Sequence, residues 1–324
     1  MNKAMKQLLR ALLPALLLIA SLPAGAQYPA RPVRLLVGFA PGGGVDILAR
    51  QLAQKLTERW GKPVVVENRS GAAGNIATGI VAKSAPDGYT LLLAFSSHAS
   101  NPALYPDLPF DIRKDFTAVT LVATAPVTVA AHPSVPAASL AELIAHARSH
   151  PGAVKFASSG VGTPVHLAGE LLMQLTGIRM THVPYKGIAP AMAAMLGAET
   201  EVTFPAVLSG LQHFRSGRLK ALAVASRNRF PGLPEVPTAA EAGLAGFEID
   251  YWYAVLGPAG LPAPLVEQLQ REISQIVTTP EMKQSLLDQG SIAIGSPPEE
   301  LNALIRSEYA LWSRVVKAGN VKVE

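Results

Sequence analysis

At two places in this 324-residue chain, about 120 residues apart, a short apolar run breaks into a glycine-rich turn and restarts with helical spacing. The first runs from residues 33–40 through Pro41-Gly42-Gly43-Gly44. Ile47, Leu48, Leu52 and Leu56 then recur at helical intervals between Arg50, Gln51, Gln54 and Lys55. The second takes residues 154–157 through a Gly/Ser turn at 158–163 into a helix expected over 164–176. Pro164 stands near that start, where helices tolerate proline. Strands alternating with helices in this way mark a parallel α/β sheet.

The rest of the chain continues the alternation. Strands are expected at 64–67 and 89–95, with a helix ending near Lys83 between them, and residues 117–131 hold one or two more. Ser139 suits an N-cap for a helix over 140–149, with Glu142 placed close to a capping box. Strands at 180–183, 201–204 and 220–224 alternate with helices at 189–196 and 207–215. Residues 227–238, with Pro231, Pro234 and Pro237, read as an irregular surface crossing. A strand over 247–256 precedes helices at 264–277, 280–289 and 298–317.

Composition narrows the class. The chain is 49% hydrophobic, which excludes a disordered polymer, and it has no cysteine, so disulfides, thiolate metal sites and a cysteine nucleophile are all excluded. The formal charge of +5 invites a nucleic-acid reading, but its location removes it. Residues 1–26 carry Lys3, Lys6 and Arg10, an apolar stretch interrupted by Pro14, and Ala24-Gly25-Ala26, the layout of a cleaved secretory signal peptide. Its apolar part is shorter than the ~20 residues a membrane span needs. Cleavage after Ala26 leaves 25 Lys+Arg against 23 Asp+Glu, a net of +2. The expectation is an exported protein of the bacterial periplasm that binds no nucleic acid.

Both glycine turns open helices, and the first N–H groups of a helix lack intrahelical partners and sit at the positive end of its dipole. Such a cradle takes a carboxylate as readily as a phosphate, and glycine lets the ligand approach the backbone. A plain strand-to-helix turn is the alternative for either loop alone. Nucleotide fingerprints fail on spacing, because a third glycine after Gly42-x-Gly44 would fall at Ile47 and one after Gly160-x-Gly162 at Val165. No Gly-x-Ser-x-Gly elbow surrounds Ser158 or Ser159, and no nucleophile–base set stands out. His146 and His150 share a helix face, as a metal pair would, but a third ligand is missing and a solvated face suits them. His166 and Glu170 share another face one turn past the second loop, which fits either a local polar pair or contact with a ligand. Asp46 reads as a helix-capping residue, Lys186 as a solvated lysine or an anion partner, and Trp252 as core or a stacking ring.

The mature chain resembles, nearly end to end, the substrate-binding proteins of tripartite tricarboxylate transporters, the TctC-like or Bug receptors. The residues that carry the resemblance are Phe-Ala-Pro-Gly-Gly-Gly-Val-Asp at 39–46, Val-Val-Val-Glu-Asn-Arg-Ser-Gly-Ala-Ala-Gly-Asn-Ile at 64–76 and Ala-Pro-Asp-Gly-Tyr-Thr-Leu-Leu at 85–92. They continue with Asn-Pro-Ala-Leu-Tyr at 101–105, His-Leu-Ala-Gly-Glu at 166–170, His-Val-Pro-Tyr-Lys-Gly at 182–187 and Val-Pro-Thr-Ala-Ala-Glu-Ala-Gly at 236–243.

The resemblance implies an α/β, two-lobed type II periplasmic-binding-protein fold with the ligand in the inter-lobe cleft. Residues 27–127 plus 249–324 would form one lobe and 128–248 the other. The ligand would be a small organic carboxylate, with no cofactor and no catalysis, and the partners would be membrane subunits of the tripartite transporter. The receptor itself is expected to be a monomer. Carried over by position, one wall is Phe39, Ala40, Pro41, Gly42, Gly43, Gly44 and Asp46. The facing wall is Ser158, Ser159, Gly160, Gly162, Thr163 and His166. Ser96, Ser97 and His98 form a neighbouring strand-end loop, and Tyr185, Lys186 and Gly187 a further wall.

Two departures bear on the ligand. Val45 stands where many members have Ser or Thr, and Pro205 where many have an Asp after Phe204. Loss of an acidic wall points to a ligand without an amino group, a dicarboxylate or an aromatic acid. A receptor reporting to a membrane sensor kinase is a second reading, and a periplasmic hydrolase or lyase a third.

Overall fold

Three parallel strands start the chain: β1 (Val33–Val37), β2 (Val64–Asn68) and β3 (Thr90–Phe95), with β1 in the middle and Leu35 in register with Val66 and Leu91. The structure, a computed structural model, describes residues 28–323, so the leader expected over residues 1–26 lies outside the described residues. Helix α1 (Gly44–Trp60) joins β1 to β2 and buries Val45, Leu48, Ala49, Leu52, Ala53 and Leu56; of the stripe that the sequence spacing marks, Leu48, Leu52 and Leu56 face the core and Ile47 is exposed. Gly61 ends it in the left-handed conformation at φ 61°, its N–H bonded to Thr57 O. A turn at 71–74 and α2 (Asn75–Ala82) join β2 to β3.

At the end of β3 the chain does not enter a loop. Ser97 and His98 form the first turn of α3 (Ser97–Leu104), a helix masked in the sequence by Pro102 inside it. The strand-forming stretch that follows is divided between two sheets. β4 (Phe116–Pro126) belongs to the first sheet and β5 (Thr128–Ala131) to the second, with fully buried Val127 between them.

The second sheet repeats the plan of the first. After α4 (Leu140–Ser149) come β6 (Lys155–Ser158), α5 (Pro164–Thr176), β7 (Thr181–Pro184), α6 (Ile188–Leu196), β8 (Val202–Thr203), α7 (Val207–Arg215) and β9 (Lys220–Val224). Its strand order is β7-β6-β8-β5-β9, parallel around β6 and antiparallel around β5. The cap of α4 forms as expected: Ser139 Oγ accepts the Glu142 N–H at 3.2 Å, and Glu142 accepts the Ala138 N–H at 2.7 Å.

The chain returns through residues 225–249 to β10 (Asp250–Pro258), which inserts between β3 and β4. The two crossings are tied together where they meet, Ala225 N–H to Val127 O at 2.7 Å and Ile249 N–H to Ala225 O at 2.9 Å. Helices α8 (Ala263–Val277) and α9 (Pro280–Asp288), the short β11 (Ile292–Ala293) and α10 (Pro298–Ala318) complete the chain. The first sheet, β11-β4-β10-β3-β1-β2, is therefore mixed rather than parallel throughout. The antiparallel half needs strands from opposite ends of the chain, a pairing that local spacing does not encode. α10 packs along the first lobe and reaches the second, where Gln174 Nε2 donates to Val315 O at 2.9 Å.

Candidate functional site

The first glycine turn is fixed from behind. Gly38 lies so close to Gly74 that a Cβ on it would stand 2.5 Å from Gly74 Cα, so only glycine fits where the two backbones meet. Gly42 turns the chain at φ 83°. Asp46 closes the loop from inside α1, its Oδ2 accepting from Gly42 N–H and Arg50 Nε at 2.9 Å each and its Oδ1 from Asn68 Nδ2 at 2.8 Å. The Arg50 hydrogen bond, helped by these neighbours, holds the Asp46 carboxyl down at about 2. Asp46 is buried and satisfied, and it braces the turn rather than facing the cleft.

The second turn is held by side chains of its own lobe. Ser158, fully buried, accepts the Gly160 N–H at 3.1 Å and lies 2.6 Å from His182 Nε2. Thr163 Oγ1 donates to Gly160 O at 2.7 Å. His166 accepts the Gly162 N–H at Nδ1, which leaves its other nitrogen, 3.4 Å from Glu170 Oε1, as the donor. Its ring stacks on His182 at 3.7 Å and 7°, with Phe156 stacked beyond. Burial, and then the neighbouring His166, lower the His182 pKa to about 4, so that ring is neutral. The Ser158–His182 pair has the spacing of a nucleophile and base, yet it lies under the turn and does not open onto the cleft.

Between the two turns is a cavity of about 340 Å³. Phe39, Gly43, Gly44 and Val45 line it from the first turn, and Ser159, Pro164 and Val165 from the second. Ile188, Ala206, Leu208 and Ser209 add the starts of α6 and α7. Ala125, Phe95, Tyr251, Tyr253, Gln289 and Ser291 form the floor and far side. No charged side chain is among these residues. Four helices instead begin at the cavity, α1, α5, α6 and α7, and none of their N-cap residues (Gly43, Thr163, Gly187, Ala206) makes a side-chain capping bond. Uncapped N–H groups and four converging dipole ends give the cavity a positive character with no lysine or arginine in its lining. A wider groove of about 570 Å³ lies beside α2, but all its walls come from one lobe.

Of the residues nominated from sequence, the structure therefore brings Phe39, Gly43, Gly44 and Ser159 to the cavity wall. Ala40, Pro41, Gly42 and Asp46 shape the first turn behind it. Ser158, Gly160, Gly162, Thr163 and His166 shape the second. Tyr185, Lys186 and Gly187 form the approach to α6, where Gly187 donates its N–H to Ser159 O at 3.2 Å and Lys186 is exposed. Pro205 is buried below the wall and its carbonyl accepts the Thr128 N–H. Ser96, Ser97 and His98 are buried beside the floor. Ser97 and His98 adjoin a separate space of about 10 Å³ behind Phe39 and Phe95, and burial lowers the His98 pKa to about 4. The rings of His146 on α4 and of its C-cap His150 lie 4.6 Å apart and tilted at 36°, and among the described residues no cluster of three metal-ligating side chains occurs.

Sequence reasoning missed the aromatic floor. Phe95 stands among Phe39, Tyr251 and Tyr253, with ring centroids 5.6, 5.8 and 5.4 Å away. Tyr251 and Tyr253 are two apart in β10 and so face the same way, while Trp252 faces the opposite side and donates to Glu308 at 2.7 Å. That period of two was present in Tyr251-Trp252-Tyr253 as a signal. Tyr251 donates to Phe204 O of the other lobe at 2.9 Å. The Tyr253 hydroxyl reaches toward the start of α1, 3.5 Å from where a Cβ on Gly44 would stand.

The family described as tripartite tricarboxylate transporter family receptor matches residues 48–321. The chain belongs to this receptor family. Protein BugT of Bordetella pertussis (strain Tohama I) is 37% identical to it over 308 residues, 94% of each chain. Among solved structures, R. palustris Rpa4515 with adipate is 34% identical, with a TM-score of 0.79 over 91% of this chain and all of that one. MatC (Rpa3494) from Rhodopseudomonas palustris with bound malate is 32% identical, with a TM-score of 0.76 over 89% of this chain and all of that one. The receptor is thus a periplasmic solute-binding protein with the two-lobed fold, not an enzyme. Among the described residues no helix is long and apolar enough to cross a membrane.

Proposed function

We propose that the receptor captures a small organic carboxylate in the cavity between its glycine turns and hands it to the membrane subunits of a tripartite transporter. The observation that carries this reading is the convergence of four uncapped helix N-termini on a cavity with no cationic side chain in its wall. Such a site stabilises an anion by backbone N–H groups and rejects an ammonium group, for which it has no acidic partner. The adipate and malate held by two relatives are of the same chemical class.

The lobes would be residues 27–127 plus 249–324 and residues 128–248. The paired crossings at Val127 and residues 225–249 would then be the hinge about which they close. A ligand touching both turns binds the closed form better than the open one, and that difference drives closure. The test is thermal unfolding of the mature chain with carboxylic acids and their matched carboxamides. An acid at 100 times its Kd adds about 2.7 kcal/mol. Acids should raise the transition and carboxamides should leave it unchanged; equal effects from both, or none from any acid, would refute carboxylate capture.

A further inference from the structure

We propose that the acid this receptor selects is an aromatic monocarboxylate, with its carboxylate between the starts of α1 and α5 and its ring against Phe95, Tyr251 and Tyr253. The inference rests on the carboxylate-capture reading and adds which carboxylate.

The two ends of the cavity differ in what they offer an anion. At the α1 end, Gly43 leaves the first N–H groups of the helix free, and the Tyr253 hydroxyl points at Gly44 without a hydrogen-bond partner among the described residues. Burial raises that phenol to about 12, so it stays protonated and can donate to a carboxylate. α5 begins with Pro164, which has no N–H, but the next positions of its first turn keep theirs. The opposite end is poorer. In α6, Pro190 removes one N–H of the first turn while Ile188 and Ala189 keep theirs, and the Tyr251 hydroxyl of the floor is already spent on Phe204 O. The start of α7 is covered by Gly290, packed so closely that a Cβ there would lie 2.7 Å from Leu208 N. The polar groups remaining at that end are the neutral side chains of Ser209, Gln289 and Ser291.

One good anion position is thus followed by an aromatic floor and closed by neutral hydrogen-bonding groups. A second carboxylate at the far end would meet a start of α7 that Gly290 covers and no unpaired phenol, so its desolvation would be poorly offset. A ring fits instead: Phe39, Phe95, Tyr251 and Tyr253 already pack on one another in tilted and perpendicular arrangements and line the cavity together, a surface to which a further aromatic ring can add. A hydroxyl on the far side of that ring would meet Ser209, Gln289 or Ser291.

The experiment is isothermal calorimetry of the mature chain with phenylacetate, 4-hydroxybenzoate, cyclohexylacetate, adipate, malate and phenylacetamide. Phenylacetate or 4-hydroxybenzoate should bind at least tenfold tighter than adipate, malate and cyclohexylacetate. Tyr253→Phe should weaken the better aromatic acid about tenfold while leaving thermal unfolding of the unliganded protein unchanged. Adipate or malate binding as tightly as the aromatic acids would overturn the monocarboxylate assignment, and cyclohexylacetate doing so would overturn the aromatic one; either result leaves carboxylate capture standing. If no acid binds, or phenylacetamide matches phenylacetate, the underlying reading fails instead.

Discussion

Gly162 donates its backbone N–H to Nδ1 of His166 at 3.0 Å, and this bond fixes the second turn to the helix it opens. Replacing His166 by Phe keeps a ring to stack on His182 but leaves the buried Gly162 N–H without an acceptor, a loss of about 1–3 kcal/mol. The expected outcome is a lower unfolding transition together with at least tenfold weaker acid binding, because the freed turn no longer presents its wall. Calorimetry and thermal unfolding on the same variant check this. Unchanged affinity in a destabilised His166→Phe protein would show that the second turn does not hold the ligand.

The first turn separates conformational from steric roles of glycine. Gly44 has ordinary helical geometry, so Gly44→Ala should stabilise the unliganded protein by about 0.5–1 kcal/mol, whereas Gly42, at φ 83°, should lose about 1–2 kcal/mol on becoming Ala. A larger side chain at 44 grows into Tyr253 and the cavity. Gly44→Leu should therefore abolish acid binding in a folded protein, with circular dichroism as the control for folding. Retained binding would place the ligand elsewhere.

Glu308 gives a pH dependence whose sign is fixed. Burial raises its carboxyl from the usual 4.5 to about 7, against the opposing hydrogen bonds from Trp252 and Trp312. Between those values the native state holds a proton that the unfolded chain has released, so stability is greatest below pH 4.5 and falls as pH rises toward 7. The span is at most roughly 3 kcal/mol, since each pKa unit is worth about 1.4 kcal/mol. Asp250, raised to about 6 by burial, adds to the same slope. Glu308→Gln keeps an oxygen for both indoles and removes the charge. Its unfolding free energy should be less dependent on pH over this window and higher than that of the parent at pH 8. Parallel profiles for parent and variant would refute the assignment.

Much of the fold was legible because its signals are local. The helices over 140–149, 164–176 and 207–215 begin and end where caps, prolines and glycines say they should, and both glycine turns sit where the apolar period changes. α3 was hidden by Pro102, and the antiparallel half of the first sheet by the distance in sequence between β3, β4 and β10. The cavity divides the same way. Gly43, Gly44 and Ser159 belong to the turns themselves. Phe95, Tyr253, Gln289 and Ser291 reach the site only once β10 is threaded between β3 and β4 and the segment after α9 is brought against α7. Asp46 and His166 were visible as polar residues beside the turns, but which side of the turn they face depends on Asn68 and His182, which meet them only in the folded chain.

Closure can be tested apart from ligand chemistry at Gly290. It lies between α9 and β11 of the first sheet, has φ 65°, and packs on the backbone of Leu208 in α7, between strands of the second sheet, where an added Cβ would stand 2.7 Å from Leu208 N and 2.9 Å from its Cα. Backbone cannot move aside as a side-chain tip can, so Gly290→Ala should hold the lobes apart. The positive φ also costs about 1–2 kcal/mol of stability wherever the lobes stand, so melting alone does not report on closure. Two readouts do: a larger radius of gyration by small-angle scattering in saturating acid, and an affinity loss of tenfold or more with both glycine turns unaltered. Scattering and affinity equal to the parent's would mean that the Gly290–Leu208 contact plays no part in holding the cavity shut.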